Sequence, residues 1–252
     1  MRNLLLLICG FGLTLNLTQA CELVASWEPW EPYQFKDGGG KLTGLDNDLI
    51  QAVAKEAGCT VRLSNTPWKR ALKMIEEGKI HMTAGASYTD ERAKFAHYSD
   101  PYRNETVAMY VQTQKADKIQ TSNVNQLARS GHSVGITRGY FYGDEFAKLK
   151  ENKQFTGSIS EVATDEQNIK KLASGRVDGI FIDRYVGAHM IKNMSLAGKI
   201  VEHPTQIISD NIYFIFSKKG TDQATVQKFN DGLKRLKASG EYDRIVNRYL
   251  AN

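Results

Sequence analysis

The chain has 252 residues and a formal net charge of +5, with 41% hydrophobic and 24% charged residues. That length allows one large domain or two small ones, and the composition is that of an ordinary globular protein. Its basic residues are interleaved with acids, as in KRALKMIEEGK and KKLASGRVD, which marks solvated helix faces and excludes a nucleic-acid patch.

Residues 1–20 stand apart from the rest. Arg2 is followed by the apolar run LLLLICGFGLTLNL and then by TQA, small residues at both ends of a three-residue site. This is the pattern of a secretory signal peptide cleaved after Ala20. The alternative, a membrane anchor, needs a longer apolar run. No later stretch is long and apolar enough to span a membrane. Removing Arg2 with this segment leaves a mild +4.

From Cys21 onward, strand and helix patterns alternate, which predicts an α/β fold with largely parallel sheets. ELVASWE reads as a strand, and YQFKDGGGKLTG as a hairpin-like loop with three glycines. LDNDLIQAVAKEAG predicts a helix with Leu45, Leu49, Val53 and Ala57 on one face, Asp46 as its cap and Gly58 as its end. Strand TVRLS follows. Then comes helix PWKRALKMIEEG, with Pro67 in its first turn and Trp68, Leu72 and Ile75 on one stripe. KIHMTAGA completes the unit as a strand.

The next residues, SYTDER, look like a helix start, with Ser87 as the cap and Asp90 three residues on. A helix N-terminus already favours negative charge. Arg92 therefore either neutralises Asp90 and Glu91 or meets an anion that is not part of the chain.

Further on, EQNIKKLASGRVDGIFID repeats the cadence of RALKMIEEGKIHMTAGA, a helix, Gly, a basic residue, a β-branched residue and a strand. This points to two lobes of similar design. TVAMYVQT and NIYFIFSKK have the look of crossovers between lobes. Between them the reading places strand HSVGIT, Gly139, helix FYGDEFAKLK, the repeated unit, helix YVGAHMIKNM and strand KIVEH. The tail TVQKFNDGLKRLKASGEYDRIVNRYL is helical and returns to the first lobe. Two crossovers between two lobes make a hinge, and a hinge makes a cleft.

Of the three cysteines, Cys9 leaves with the signal. Cys21 and Cys59 each precede a strand-like run. If those strands are parallel neighbours joined by the helix between them, the thiols lie side by side, as a disulfide in an oxidising compartment requires. The rival reading, a lipidated Cys21, has poor lipobox residues in Thr18 and Gln19 and no tether after it. The five histidines (His81, His97, His132, His189 and His203) are dispersed without metal-ligand spacing, so no metal or cofactor is expected.

These segments, in this order and over essentially the whole chain after residue 20, resemble the family 3 bacterial extracellular solute-binding proteins, the ligand-capturing subunits of polar amino acid ABC transporters. EPYQFKDGGGKLTGLDNDLIQAVAKEAG, PWKRALKMIEEGKI, SYTDERAKFAHYSDPY, VGITRG, LASGRVDGIFID and LKASGEYDRI carry the resemblance. The Gly-x-Asp-x-Asp-Leu signature is present as Gly44 to Leu49, with Asn47 in place of the usual apolar residue.

The resemblance implies a type II periplasmic-binding-protein clamshell, two lobes with mixed sheets joined by two crossover strands. The expected division is 21–112 for the first lobe, 113–208 for the second and 209–252 for the return. It also implies a monomeric periplasmic protein that captures a small carboxylate-bearing ligand, a polar amino acid, and delivers it to an ABC permease.

Residue by residue, Arg92 occupies the family's position for the ligand carboxylate, a role suited to a planar fork of donors. Ser87 and helix N-terminal amides add hydrogen bonds. Asp183, ending the VDGIFID strand, takes the ligand ammonium and can also cap the next helix. Asp178 reads as a turn residue. Trp30 and Trp68 line the cleft and grip the ligand side chain, with Tyr33 beside Trp30, although Trp68 also fits its helix's core stripe.

Three departures bear on the ligand. Ala84 and Gly85 stand where amino-acid binders usually have hydroxyls, which leaves the Gly85 carbonyl as an acceptor. Tyr140, Phe141 and Tyr142 stand where threonines often bind the carboxylate, so their backbone amides are expected to face the anion. Glu28 and Glu31 lie near the mouth, either favouring a cationic side chain or belonging to a solvated loop. Two alternatives to transport are a binder that docks on a membrane receptor and a dehydratase on the same fold. No nucleophile–base set supports the latter.

Overall fold

The structure, a computed structural model, describes residues 21–250. The expected signal peptide lies outside the described residues. In chain order come β1 (Cys21–Trp27), the hairpin strands β2 (Phe35–Lys36) and β3 (Leu42–Thr43), α1 (Leu45–Glu56), β4 (Cys59–Asn65), α2 (Trp68–Glu77), β5 (Met82–Ser87), α3 (Asp90–Ala93) and β6 (Ala96–Tyr98). The crossover strand β7 (Arg103–Gln112) leads through a short 3-10 turn to α4 (Val124–Arg129), β8 (Val134–Thr137), α5 (Asp144–Lys150), α6 (Lys153–Thr156), β9 (Ile159–Val162), α7 (Asp165–Ala173), β10 (Gly179–Asp183) and α8 (Arg184–Asn193). The long strand β11 (Ile200–Ser217) returns to α9 (Gln223–Ala238) and α10 (Glu241–Leu250).

The strands form one hydrogen-bonded path in the order β4-β1-β5-β11-β7-β10-β8-β9, with β6 beside β11. β4, β1 and β5 run parallel in one half, and β9, β8 and β10 run parallel in the other. β11 and β7 run antiparallel to their neighbours and to each other. The two mixed sheets expected from sequence are thus two halves sharing both crossovers. KIVEH and NIYFIFSKK, read as separate strands, are the two ends of β11, whose pairing with β7 shifts register between His203 and Ile208.

Several local expectations change. The α1 N-cap is Gly44, not Asp46. At φ 113° with the Tyr33 carbonyl oxygen 2.3 Å from where a Cβ would sit, that position excludes any side chain. Asp46 is instead buried and paired with Arg103. Pro67 is the N-cap of α2 and not a first-turn residue. Thr89, not Ser87, caps α3, its side chain accepting from the Arg92 backbone N–H. FYGDEFAKLK is helical only from Asp144, because Tyr140–Tyr142 form a loop ahead of the Gly143 cap. The tail splits at Gly240 into α9 and α10.

The largest apolar cluster joins the α1 residues Leu45, Leu49, Ile50 and Val53 to Val226, Phe229, Leu233 and Leu236 of α9 and Ile245 of α10. The return segment therefore closes the core of the first half. A second cluster (Val107, Met109, Val134, Ile136, Tyr142, Phe146, Phe155 and Phe181) lies in the other half, into which the largest cluster also extends through Ile169, Leu172, Ile180 and Val186. Cys21 and Cys59 face each other in the parallel β1–β4 register with Cα atoms 4.5 Å apart, and they form a disulfide.

Candidate functional site

In each half the parallel strands end on the same cleft, the edge where open α/β sheets place ligands. β1 ends at Trp27, β5 at Ser87 and β10 at Asp183, and the loop after β8 carries Tyr140 and Phe141. Between them lies about 620 Å³ of empty space, open mouth included, within the usual size of a small-molecule site. Of the residues expected from sequence, Trp30, Trp68, Gly85, Ser87, Arg92, Tyr140, Phe141 and Asp183 all line it.

Tyr33 does not line the cavity. It is fully buried, and its hydroxyl donates to Asp183 Oδ2 at 3.2 Å. It positions the carboxylate from behind, across the two halves.

Arg92 is 7% exposed. Nη1 donates to the Ser87 carbonyl at 2.9 Å and Nη2 to the Gly139 carbonyl of the opposite half at 3.1 Å. Its guanidinium carbon lies 5.4 Å from the Trp68 ring centroid, a cation–π contact. Neither Asp90 nor Glu91 pairs with it, and among the described residues no carboxylate stands within ion-pair distance. The local surface pair considered from sequence is therefore absent. Burial pulls the Arg92 pKa down, yet a guanidinium stays charged at neutral pH.

The opposite loop meets Arg92 with a carbonyl. The Gly139 oxygen accepts from both Arg92 and Trp68 Nε1, the latter at 3.1 Å, while the Tyr140 N–H donates to Thr137 O. Tyr140 stands edge-on to both tryptophans, with centroids 6.3 Å from Trp30 and 6.5 Å from Trp68. Gly85 permits this wall. Its φ is 77°, and a Cβ there would sit 3.3 Å from the Trp30 ring.

Asp183 is 2% exposed. Its Oδ1 accepts from the Val186 N–H at 2.9 Å, capping α8, while Oδ2 faces Tyr33. Burial raises its pKa. Capping and facing the cleft are compatible, because a carboxylate has two oxygens. Asp178 holds the turn before β10 through the Ser133 N–H and hydroxyl, each at 2.9 Å.

Sequence reasoning left one acid here undecided, Glu28, and missed two, Glu105 and Asp165. Glu28 is not a solvated loop residue. It lines the cavity, and its Oε2 accepts from the Trp68 N–H at 3.0 Å. Burial pushes its carboxyl up to about 7. Glu105, on β7, is pushed up to about 8 by burial and then by the charge of Asp183. Asp165, pushed up to about 6 by burial, accepts from the Thr137 hydroxyl. The Trp30 indole N–H lies near Asp165 but lacks hydrogen-bond geometry to any partner.

A signal for Glu105 existed, a lone acid in the apolar crossover RNETVAMYVQ. Asp165 gave none, since Thr-Asp-Glu reads equally well as an ordinary helix start. Glu31, by contrast, sits at the rim, where it bridges to His189 at 2.9 Å and Asn193 at 3.3 Å on α8.

The arrangement is a cleft between the two halves with a buried cation at one side and carboxylates at the other, walled by aromatic rings. It suits a small zwitterion. Among the described residues no group of acids, histidines or cysteines is placed to hold a metal ion, and no helix is long and apolar enough to cross a membrane.

Known proteins are similar to this chain. A "Probable histidine-binding protein" of Neisseria gonorrhoeae is 29% identical over 229 residues, covering 90% of this chain and 82% of the relative. The "Putative ABC transporter arginine-binding protein 2" of Escherichia coli is 27% identical over 252 residues, covering 97% and 96%. The solved structure of "An ancestral arginine-binding protein bound to arginine" superposes with a TM-score of 0.78 at 25% identity, covering 91% of this chain and 98% of that one. The model of the bacterial extracellular solute-binding proteins, family 3, matches residues 23–252, and the chain belongs to that family.

Proposed function

We propose that this protein is secreted, losing residues 1–20 at Ala20, and that it captures a polar α-amino acid between its lobes for delivery to an ABC importer as a monomer. The ligand carboxylate binds Arg92 with help from Ser87. The ammonium binds Asp183, and the side chain lies between Trp30, Trp68 and Tyr140. Residues 21–112 and 209–252 move as one body against 113–208, about the crossover strands.

The observation that carries this reading is Arg92, a buried guanidinium aimed into the cleft with only carbonyls and the Trp68 ring for partners. Burying a charge without a counter-ion is costly, and a ligand carboxylate supplies one in bidentate geometry. The names of the relatives, a histidine binder and arginine binders, support the same ligand class. Gly85 and Ala84 offer no hydroxyl, but the linked hydroxyls of Ser26 and Thr83 line the cavity beside them.

Titration with a panel of the twenty amino acids, followed by tryptophan fluorescence and calorimetry, tests the reading. At least one should bind saturably, and Arg92→Ala should weaken it by roughly 100-fold or more, the cost of losing one partner of a buried charged pair. An Arg92→Ala protein that binds as tightly as the parent would refute the anchor. Turnover of a bound compound would replace binding with catalysis.

A further inference from the structure

A zwitterion needs one cation and one anion from the cleft, and Arg92 and Asp183 supply them. Glu105 is left over. It follows Arg103 by two residues on β7 and precedes Val107 by two, so the three project to one face of the strand. Glu105 and Val107 line the cavity. The Glu105 carboxylate has no hydrogen bond or ion pair among the described residues, and its surroundings act on it only through burial and charge.

The charged groups around it are accounted for. Asp183 and Asp165 face it from the second lobe, Asp46 from α1, and Arg103 from its own strand. Arg103 is already committed to Asp46 in a two-pronged pair. Arg92 senses Glu105 but does not reach it as an ion pair. The phenols of Tyr33, Tyr140 and Tyr142 complete the surroundings. The acids do not stand alone as a patch, because Arg92, 7% exposed and without a carboxylate partner, is aimed into the same cavity.

Resting on the amino-acid reading above, we propose that Glu105 is the counter-ion for a second positive charge on the ligand, so that the cleft selects amino acids with a cationic side chain.

With its carboxyl pushed up to about 8, Glu105 holds its proton at neutral pH in the empty cleft. A guanidinium or ammonium brought against it favours the ionised form and displaces that proton. A neutral side chain leaves it protonated. Linkage then fixes the sign. Affinity for a cationic ligand rises with pH, by up to about tenfold per unit for one proton, and levels off above about 8. Asp165, at about 6, is largely ionised by pH 7, but Glu28, at about 7, titrates across the same interval, so the Glu105→Gln comparison assigns the change between pH 7 and 8 to Glu105. Because Glu105 sits on a crossover strand, the charge that it reads lies on the hinge itself.

The test is calorimetry on the full secreted chain with two matched pairs, L-arginine against L-citrulline and L-lysine against L-glutamine. Each is measured at pH 7 and 8 in two buffers of different ionisation enthalpy. The expected result is at least tenfold tighter binding of the cationic member of a pair at pH 8, with proton release for that member only. Glu105→Gln should abolish both the preference for the cationic member and the proton release. The comparison within the parent protein stands even if that variant folds poorly.

A neutral member that binds as tightly as its cationic partner overturns the proposal and leaves the amino-acid reading standing. The proposal alone is likewise overturned if only neutral amino acids outside these pairs bind, or if a folded Glu105→Gln protein keeps the preference. Failure of every amino acid to bind overturns both readings.

Discussion

Two arginines of the first lobe are equally buried, at 7% exposure, and do opposite things. Arg103 closes its charge inside the chain. Its Nε is 2.9 Å from Asp46 Oδ1 and its Nη2 3.1 Å from Asp46 Oδ2, and its guanidinium lies 3.9 Å from the Tyr33 ring centroid. Arg92 ends on two backbone carbonyls and the Trp68 ring. A guanidinium held in a two-pronged carboxylate grip is part of the fold, whereas one given only neutral acceptors keeps its charge for something outside the chain. Burial alone does not separate the two roles; the identity of the partner does.

The largest effect that can break this contrast is on stability. Arg103→Met leaves Asp46, 0% exposed, without its cation and should cost about 3–5 kcal/mol in urea unfolding. Arg92→Met removes a charge that has no internal counter-ion and should shift the unliganded protein by less than ~1 kcal/mol in either direction. If both substitutions cost the same, Arg92 is as structural as Arg103 and the contrast fails.

A middle-sized effect concerns pH. The acids around the cleft, Glu28, Glu105 and Asp165, have folded-state pKa values raised by burial above the ordinary carboxylate range. The stability tied to their protons is present in full below the unfolded pKa near 4 and is lost as pH rises through the folded values of about 6, 7 and 8. The unliganded protein should therefore melt at a lower temperature at pH 8.5 than at pH 5, by on the order of 5 °C, with a shallower slope in Glu105→Gln. A melting temperature that is flat or rises over that interval would mean these acids are better solvated than their positions indicate.

The smallest effect sharpens where the ligand charge is read. Glu31 and His189 bridge the lobes at the rim with side chains 34% and 38% exposed. Exposed pairs contribute little, so Glu31→Gln should weaken amino-acid binding by less than ~1 kcal/mol, under about fivefold. A hundredfold loss would move the cation site from the cleft floor to its rim.

Much of this was legible in the chain. The GKI and GRV turns, the periodicity of α1 and α2 and the Ser-Tyr-Thr-Asp-Glu-Arg stretch carry local signals, and they placed β5, β10 and Arg92 correctly. Caps were less legible. Asp46 has the chemistry of an N-cap but is drawn to Arg103, 57 residues away, because a buried guanidinium outcompetes a helix end for a carboxylate. Ser87 and Thr89 are equally good hydroxyls, and only the backbone path at the end of β5 selects Thr89. Tyr33 reads as a cleft residue from its place beside Trp30. Burial turns it into a support for Asp183.

The sequence by itself determined the α/β alternation and the family, because these depend on local periodicity and on segment order, while the facing of Cys21 with Cys59 waited on the pairing of β1 with β4. Tertiary structure alone decided which charges are paired within the chain and which are left facing the cleft. Glu28, Glu105, Asp165 and Asp183 come from four separate segments, and their raised pKa values arise only when the two halves close around them and exclude water. Desolvation belongs to the assembled cleft, and no stretch of sequence carries it.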